Sequence, residues 1–119
     1  MLRIGRDVIR VTDLERAAAF YARAFEFSVL FDREIFPGFR SLHVGPAQVS
    51  DPGIWLFPAQ TARSDDEPIL VLYSNEIDAD LERARSAGAE LARPLAGDSG
   101  ARSASIRDPF GNVIVLTEI

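Results

Sequence analysis

The chain has no cysteine and no lysine, one histidine, His43, and one tryptophan, Trp55. Without thiols there is no disulfide and no thiolate metal site. Without lysine there is no Schiff-base chemistry. With one imidazole, a mechanism needing two histidines within one subunit is closed. No apolar run is long enough to cross a bilayer and no signal peptide is recognisable, so a soluble, cytoplasmic protein is expected. Excess basic charge is missing too. All thirteen basic residues are arginine, against eighteen acidic ones, for a net charge of −5. That balance argues against generic binding to nucleic acid or to an acidic membrane. No nucleophile elbow, phosphate loop or paired acid/base motif is present.

What is there suits one folded domain. At 119 residues the chain is expected to leave roughly 6,000–6,500 Å² exposed when compact. Asp108-Pro-Phe-Gly-Asn112 is turn chemistry: proline presets φ, glycine accepts positive φ, and Asp and Asn bond their own backbone. Val113–Leu116 after it is an unbroken aliphatic run, read as a strand inside a sheet and covered on both faces. Upstream, Ile4–Val11 reads as a strand, and Asp13 caps a helix over Leu14–Phe25 with an apolar stripe at helical spacing. Strands follow at Phe27–Phe36, Phe39–Val44 and Gly53–Phe57, with Pro37-Gly38 between the first two. A polar stretch carrying Asp65-Asp66-Glu67 reads as a linker. The order then repeats. A strand spans Pro68–Tyr73, and a helix starts at Asn75 or Asp78 and ends before Gly88. Strands at Ala89–Leu95, Ala101–Arg107 and Val113–Glu118 complete the repeat. Asp13-Leu-Glu-Arg-Ala17 recurs as Asp80-Leu-Glu-Arg-Ala84, a helical turn out of register and therefore a coincidence of composition.

Three motifs in order, Val11-Thr-Asp-Leu-Glu with Phe20-Tyr21, Ser86-Ala-Gly-Ala89 and Asp108-Pro-Phe-Gly-Asn112, resemble signatures of the vicinal oxygen chelate superfamily. That family includes glyoxalase I, bleomycin-resistance proteins and extradiol dioxygenases. The resemblance implies an α+β fold of two βαβββ units, residues 1–58 and 68–119 joined by linker 59–67, in a curved mixed sheet around a cavity. It also implies a second subunit completing that cavity, hence a homodimer.

Metal-using members carry one ligand on each of four strands. The matching positions here are Arg6, Trp55, Ile69 and Val115, and none offers a donor suited to a catalytic divalent metal. Among their neighbours only Asp7 could ligate. No metal and no cofactor is expected. Alternation places Arg6, Val8, Arg10, Trp55, Phe57, Ile69, Val71, Tyr73, Val113, Val115 and Thr117 on the cavity side. Ile9, Val11, Ile54, Leu56, Leu70, Leu72, Ile114 and Leu116 then face the helices.

The candidate ligand-binding residues are Arg6, Arg10, Trp55, Phe57, Tyr73 and Val115. Each has a plainer alternative. Trp55 stacks on a flat ligand or fills core volume. Arg10 meets an anion or pairs with Glu118. Arg6 needs an internal partner, a partner from another subunit, or an anionic ligand. Tyr73 orients a ligand or is simply half-buried. His43, on one face with Ser41, is more often structural than catalytic. Phe36 and Phe39 flank a turn as a lid, a subunit contact or partly buried side chains. The expected function is metal-free binding or sequestration of a small, anionic, partly aromatic molecule, as in bleomycin resistance. The alternative is an enzyme on the same scaffold, of lyase, isomerase or dioxygenase type, metal-dependent or using Tyr73, His43 or Asp7. A third is an interaction protein whose sheet face serves assembly.

Overall fold

A computed structural model describes all residues, 1–119. Ten elements run in order: β1 (Arg6–Val11), α1 (Leu14–Phe25), β2 (Ser28–Phe36), β3 (Phe39–Gly45) and β4 (Gly53–Pro58), then β5 (Pro68–Ser74), α2 (Ile77–Ser86), β6 (Glu90–Ala96), β7 (Ser103–Arg107) and β8 (Val113–Glu118). Two four-stranded sheets form with the same order, β1-β4-β3-β2 and β5-β8-β7-β6. In each, the first strand lies parallel to the last and the other pairings are antiparallel. This is the α+β fold of two βαβββ units.

One face of each sheet packs on the helices. Ile9, Val11, Ile54 and Leu56 of the first sheet and Ile114 and Leu116 of the second are buried with Phe20 and Tyr21 of α1 and Ile77 of α2. The helices also touch each other. The period-two alternation therefore sorts the buried faces as expected. It fails at Ile69: pairing slips between Pro68 and Leu70, and both Ile69 and Leu70 pack toward the core. Such a bulge inserts one residue and re-aims its neighbour.

Helix ends follow local chemistry. The Asp13 carboxylate accepts the Arg16 N–H at 3.1 Å and caps α1. The second helix does not start at Asn75 or Asp78; Glu76 is its cap position, and its first turn opens at Ile77. The reason is Ser74, whose hydroxyl accepts the Glu76 N–H at 3.1 Å and donates to Asp80. Asp80 thus sits inside α2 while its sequence counterpart Asp13 is a cap. Residues 1–5 lie before β1, with Ile4 exposed. No helix is long and apolar enough to cross a membrane.

The turn Asp108–Asn112 fastens the units together. The Asp108 carboxylate is buried and accepts the N–H groups of Phe110 (2.8 Å) and Asn112 (2.9 Å), the Asn112 side-chain amide (2.9 Å) and the Tyr21 hydroxyl of α1 (2.8 Å). Burial, then the charge of Asp108, raises the Tyr21 pKa well above its ordinary value. Asn112 also donates to the Arg10 carbonyl of β1 at 2.9 Å. Gly111 has φ +82°, and a Cβ there would collide with the Arg63 carbonyl. Both backbone and space therefore demand glycine.

The other face of each sheet is open. β8 is interior to its sheet, yet only the helix side and Val113 are covered. Val8 and Val71 are each 53 % exposed and Tyr73 is 72 % exposed. The chain exposes 7342 Å², roughly 1,000 Å² more than a compact monomer of its mass.

Candidate functional site: an aromatic sheet face

The open face of the first sheet is built by register. Val8 lies beside Trp55, Trp55 beside His43 and His43 beside Phe31, one residue from each strand in turn. Arg10 lies beside Phe57. The rings touch in sequence across the sheet. Phe31 is 5.1 Å from His43, His43 is 5.7 Å from Trp55, and Trp55 is 5.2 Å from Phe57. Phe57 is 5.7 Å from Phe39, which stacks on Phe36 at 4.7 Å and 17°. Phe36 and Phe39 meet across the tight turn at Pro37-Gly38. The Trp55 indole nitrogen is buried and has no acceptor within the chain. The rings of the strip are tilted by 42–71° to one another, so it offers a ridged, polarisable surface of ring faces and edges to an aromatic ligand.

His43 belongs to this strip as a neutral ring. The Arg6 Nε–H donates to Nδ1 at 2.9 Å, so Nδ1 carries no proton. The proton then sits on Nε2, 3.0 Å from the Ser41 hydroxyl. Burial, then the neighbouring Arg6 charge, lowers the His43 pKa below its ordinary value. Neither ring nitrogen is free to act as a base.

Of the partners open to Arg6, the structure supplies internal ones. Beyond His43 its guanidinium donates to the carbonyls of Gly5 (3.0 Å), Asp51 (2.8 Å) and Val49 (2.7 Å). It clamps the loop between β3 and β4. Arg10 is the converse. The expected alternative, a pair with Glu118, does not form, because Glu118 is held by Arg102 at 2.9 Å. That pairing pulls the Glu118 pKa down to about 2. Arg10 is exposed and makes no ion pair.

The six candidates do not converge in one cavity of a single chain. Arg6, Arg10, Trp55 and Phe57 lie on the first sheet, Tyr73 and Val115 on the second. The aromatic face is an open wall. The second sheet carries instead a groove of about 430 Å³ lined by Pro68, Arg93, Ser103, Ser105, Val113 and Val115. Sequence reasoning passed over Phe31 and Arg93. Phe31 follows from strand pairing with His43 and Arg93 from a bulge, neither of which alternation alone reveals.

The four positions matching the family's metal ligands offer poor donors. Arg6 is engaged as a donor, and Trp55 and Val115 have no lone pair suited to a divalent ion. Ile69 sits at the bulge between Pro68 and Leu70, which are no better. Nowhere do three His, Cys, Asp or Glu residues come together to hold an ion. The residues present do not fit a chelated metal.

Comparison with known proteins agrees with this fold. The model of the Glyoxalase/Bleomycin resistance protein/Dioxygenase superfamily matches residues 3–116. The structure of UcmS2 superposes with TM-score 0.83 at 26 % identity, covering 100 % of this chain and 99 % of that one. TnmS3, an antibiotic binding protein from Streptomyces sp. CB03234, gives 0.74 at 25 % identity, with 98 % and 95 % covered. Glyoxalase I from Zea mays shares the fold at TM-score 0.77 and 21 % identity; 96 % of this chain covers 45 % of that one. No curated protein matches the sequence. The chain belongs to the Glyoxalase/Bleomycin resistance protein/Dioxygenase superfamily.

Proposed function

We propose that the protein binds and sequesters a small, flat, anionic molecule against the aromatic face of its first sheet, without metal. The observation that carries this is the ring strip Phe31–His43–Trp55–Phe57 with the unpaired Arg10 beside Phe57. Stacking supplies a wide apolar contact. A planar guanidinium beside it takes a carboxylate in two parallel hydrogen bonds. Arg6 acts through His43, fixing the ring's tautomer and tilt. The similarity to TnmS3, an antibiotic binding protein, supports the binding reading. An enzymatic reading through His43 meets a ring whose nitrogens are both engaged.

The same reading takes a second copy of the chain as the other wall, bringing Tyr73 and Val115 toward the aromatic face. Two open sheet faces and the surplus exposed area support it, since a standard interface removes about 800 Å² per partner. Light scattering is expected to give twice the 13.1 kDa chain mass at micromolar concentration; the chain mass alone contradicts it. The reading takes the protein to be cytoplasmic; a chain without thiols is itself indifferent to the redox state of its compartment. A thermal-shift screen of small aromatic acids and glycopeptide-type antibiotics, run in chelator, tests the binding function. Stabilisation by a flat acid is expected; no shift with any compound argues for the assembly role instead.

A further inference from the structure

We propose that Arg93, with Ser103 and Ser105, forms a carboxylate-binding subsite in the groove of the second sheet, distinct from the Arg10 edge of the first. It rests on the reading that the open sheet faces hold the ligand, and it gives that ligand a second feature: a carboxylate on an arm extending from its aromatic body.

The placement of Arg93 comes from two irregularities in β6. Leu91 pairs with Ile106 on the helix side of β7. Regular alternation would then set Ala92 opposite Ser105. Pairing slips between Leu91 and Arg93, so Arg93 lies opposite Ser105 instead, and it slips again between Arg93 and Ala96. Pro94 lies in that second gap and has no N–H for the ladder. Bulges of this kind re-aim a side chain and are enriched beside functional sites. Without the first slip Arg93 would point toward the helices.

The surroundings of Arg93 are made for an anion. Across the open face its row continues through Ser105 and Val115 to Val71. Neighbouring strands are about 4.8 Å apart, so Ser105 flanks the base of the Arg93 side chain, and both line the same groove. Ser105 is only 5 % exposed; its hydroxyl and that of Ser103 face the groove without a partner in the chain and are reached by solvent there. The sole acid lining the groove, Asp66, is already paired with Arg107. Arg107 also donates to the carbonyls of Asp65 (3.1 Å) and Gly111 (3.2 Å). Arg93 makes no ion pair and no side-chain hydrogen bond. One exposed, unpaired guanidinium lining the same groove of about 430 Å³ as two free hydroxyls matches a singly charged planar group. A carboxylate takes the fork in two hydrogen bonds and accepts the hydroxyls with its remaining lone pairs. A phosphate dianion would need more positive charge than the groove holds.

Naphthylacetate, naphthylbutyrate and their neutral amides probe the site by calorimetry, with Trp55 emission recorded in parallel. The Arg93→Gln variant is expected to melt with the wild type. It should bind the acids about tenfold more weakly, and the amides within about twofold of wild type. Arg93→Lys should recover part of the loss. An acid that binds Arg93→Gln as tightly as wild type overturns the subsite, and if it still quenches Trp55 the aromatic-face reading survives. An acid that depends on Arg93 without perturbing Trp55 supports the subsite and removes the aromatic-face reading. No binding by any acid at millimolar concentration overturns both.

Discussion

The two units share a strand order and differ at two places. The first is the segment leading into the last strand of each unit. In the second unit the Asp108 anion gathers donors around it, from its own turn and from Tyr21. In the first unit the Arg6 cation does the reverse, reaching out to carbonyls at Val49 and Asp51. The second place is the open face. The first sheet lays down rings, the second small side chains and hydroxyls around Arg93. One backbone plan thus carries two surfaces of unlike chemistry, as expected when function resides in side chains grafted onto a shared scaffold. Neither surface gathers three His, Cys, Asp or Glu side chains.

The sharpest way to break the comparison is at its buried anion. Asp108→Ala leaves four donors without an acceptor, two of them on the side chains of Tyr21 and Asn112. A loss of about 3–5 kcal/mol is expected, read as a lower urea midpoint at unchanged slope. Arg6→Ala is the matching cut in the first unit. Its carbonyl partners lie in a loop that water reaches, so the loss should be smaller, about 1–2 kcal/mol. Equal losses would mean the two devices are equivalent, against the contrast drawn from burial.

At the open faces, Trp55→Ala and Arg10→Ala are each expected to weaken an aromatic acid by at least about tenfold, or roughly 1.4 kcal/mol. Val115→Ala, on the second sheet, should cost less than either. If Arg10→Ala leaves affinity intact while lowering the melting temperature, that arginine is structural.

The smallest effect is a pH dependence confined to the first unit. The folded pKa of His43 lies below the ordinary value of 6.5. An unfolded chain therefore takes up the proton first as pH falls, and binds more protons than the folded one between the two pKa values. Stability should be full above about pH 6.5 and decline below it. The paired carboxylates Asp32, Asp65, Asp80 and Glu118, whose pKa values are lowered from 3.8 or 4.5, lose their contributions only in more acid solution. Melting curves between pH 7 and about 5 should therefore decline for the wild type and flatten for His43→Gln. A wild-type curve flat over that range contradicts the half-buried, Arg6-facing ring.

Much of this architecture was legible in the sequence because it rests on local rules. Ile9, Val11, Ile54, Leu56, Ile114 and Leu116 alternate as strands must, and Asp13 caps the helix it precedes. Trp55 and Phe57 follow onto the open face from the same alternation. What escaped depends on partners far along the chain. That Glu118 is taken by Arg102, leaving Arg10 unpaired, is a choice among acids that spacing does not encode. That Arg6 serves loop carbonyls more than forty residues away needs the fold first. The slips at Ile69 and Arg93 each break the period on which the reading relied. The start of α2 was misplaced because the hydroxyl of Ser74, outside the helix, does the capping.

Trp55 is the only tryptophan and lies at the centre of the ring strip, so its emission reports on the aromatic face alone. Titrating the protein with a panel of flat aromatic carboxylates, once in EDTA and once with added Zn²⁺, Ni²⁺, Mn²⁺ or Fe²⁺, tests metal-free binding at that face directly. Saturable quenching with the same Kd in chelator and in metal is the expected result. Quenching that appears only when a divalent ion is supplied, or no quenching by any member of the panel, would contradict it.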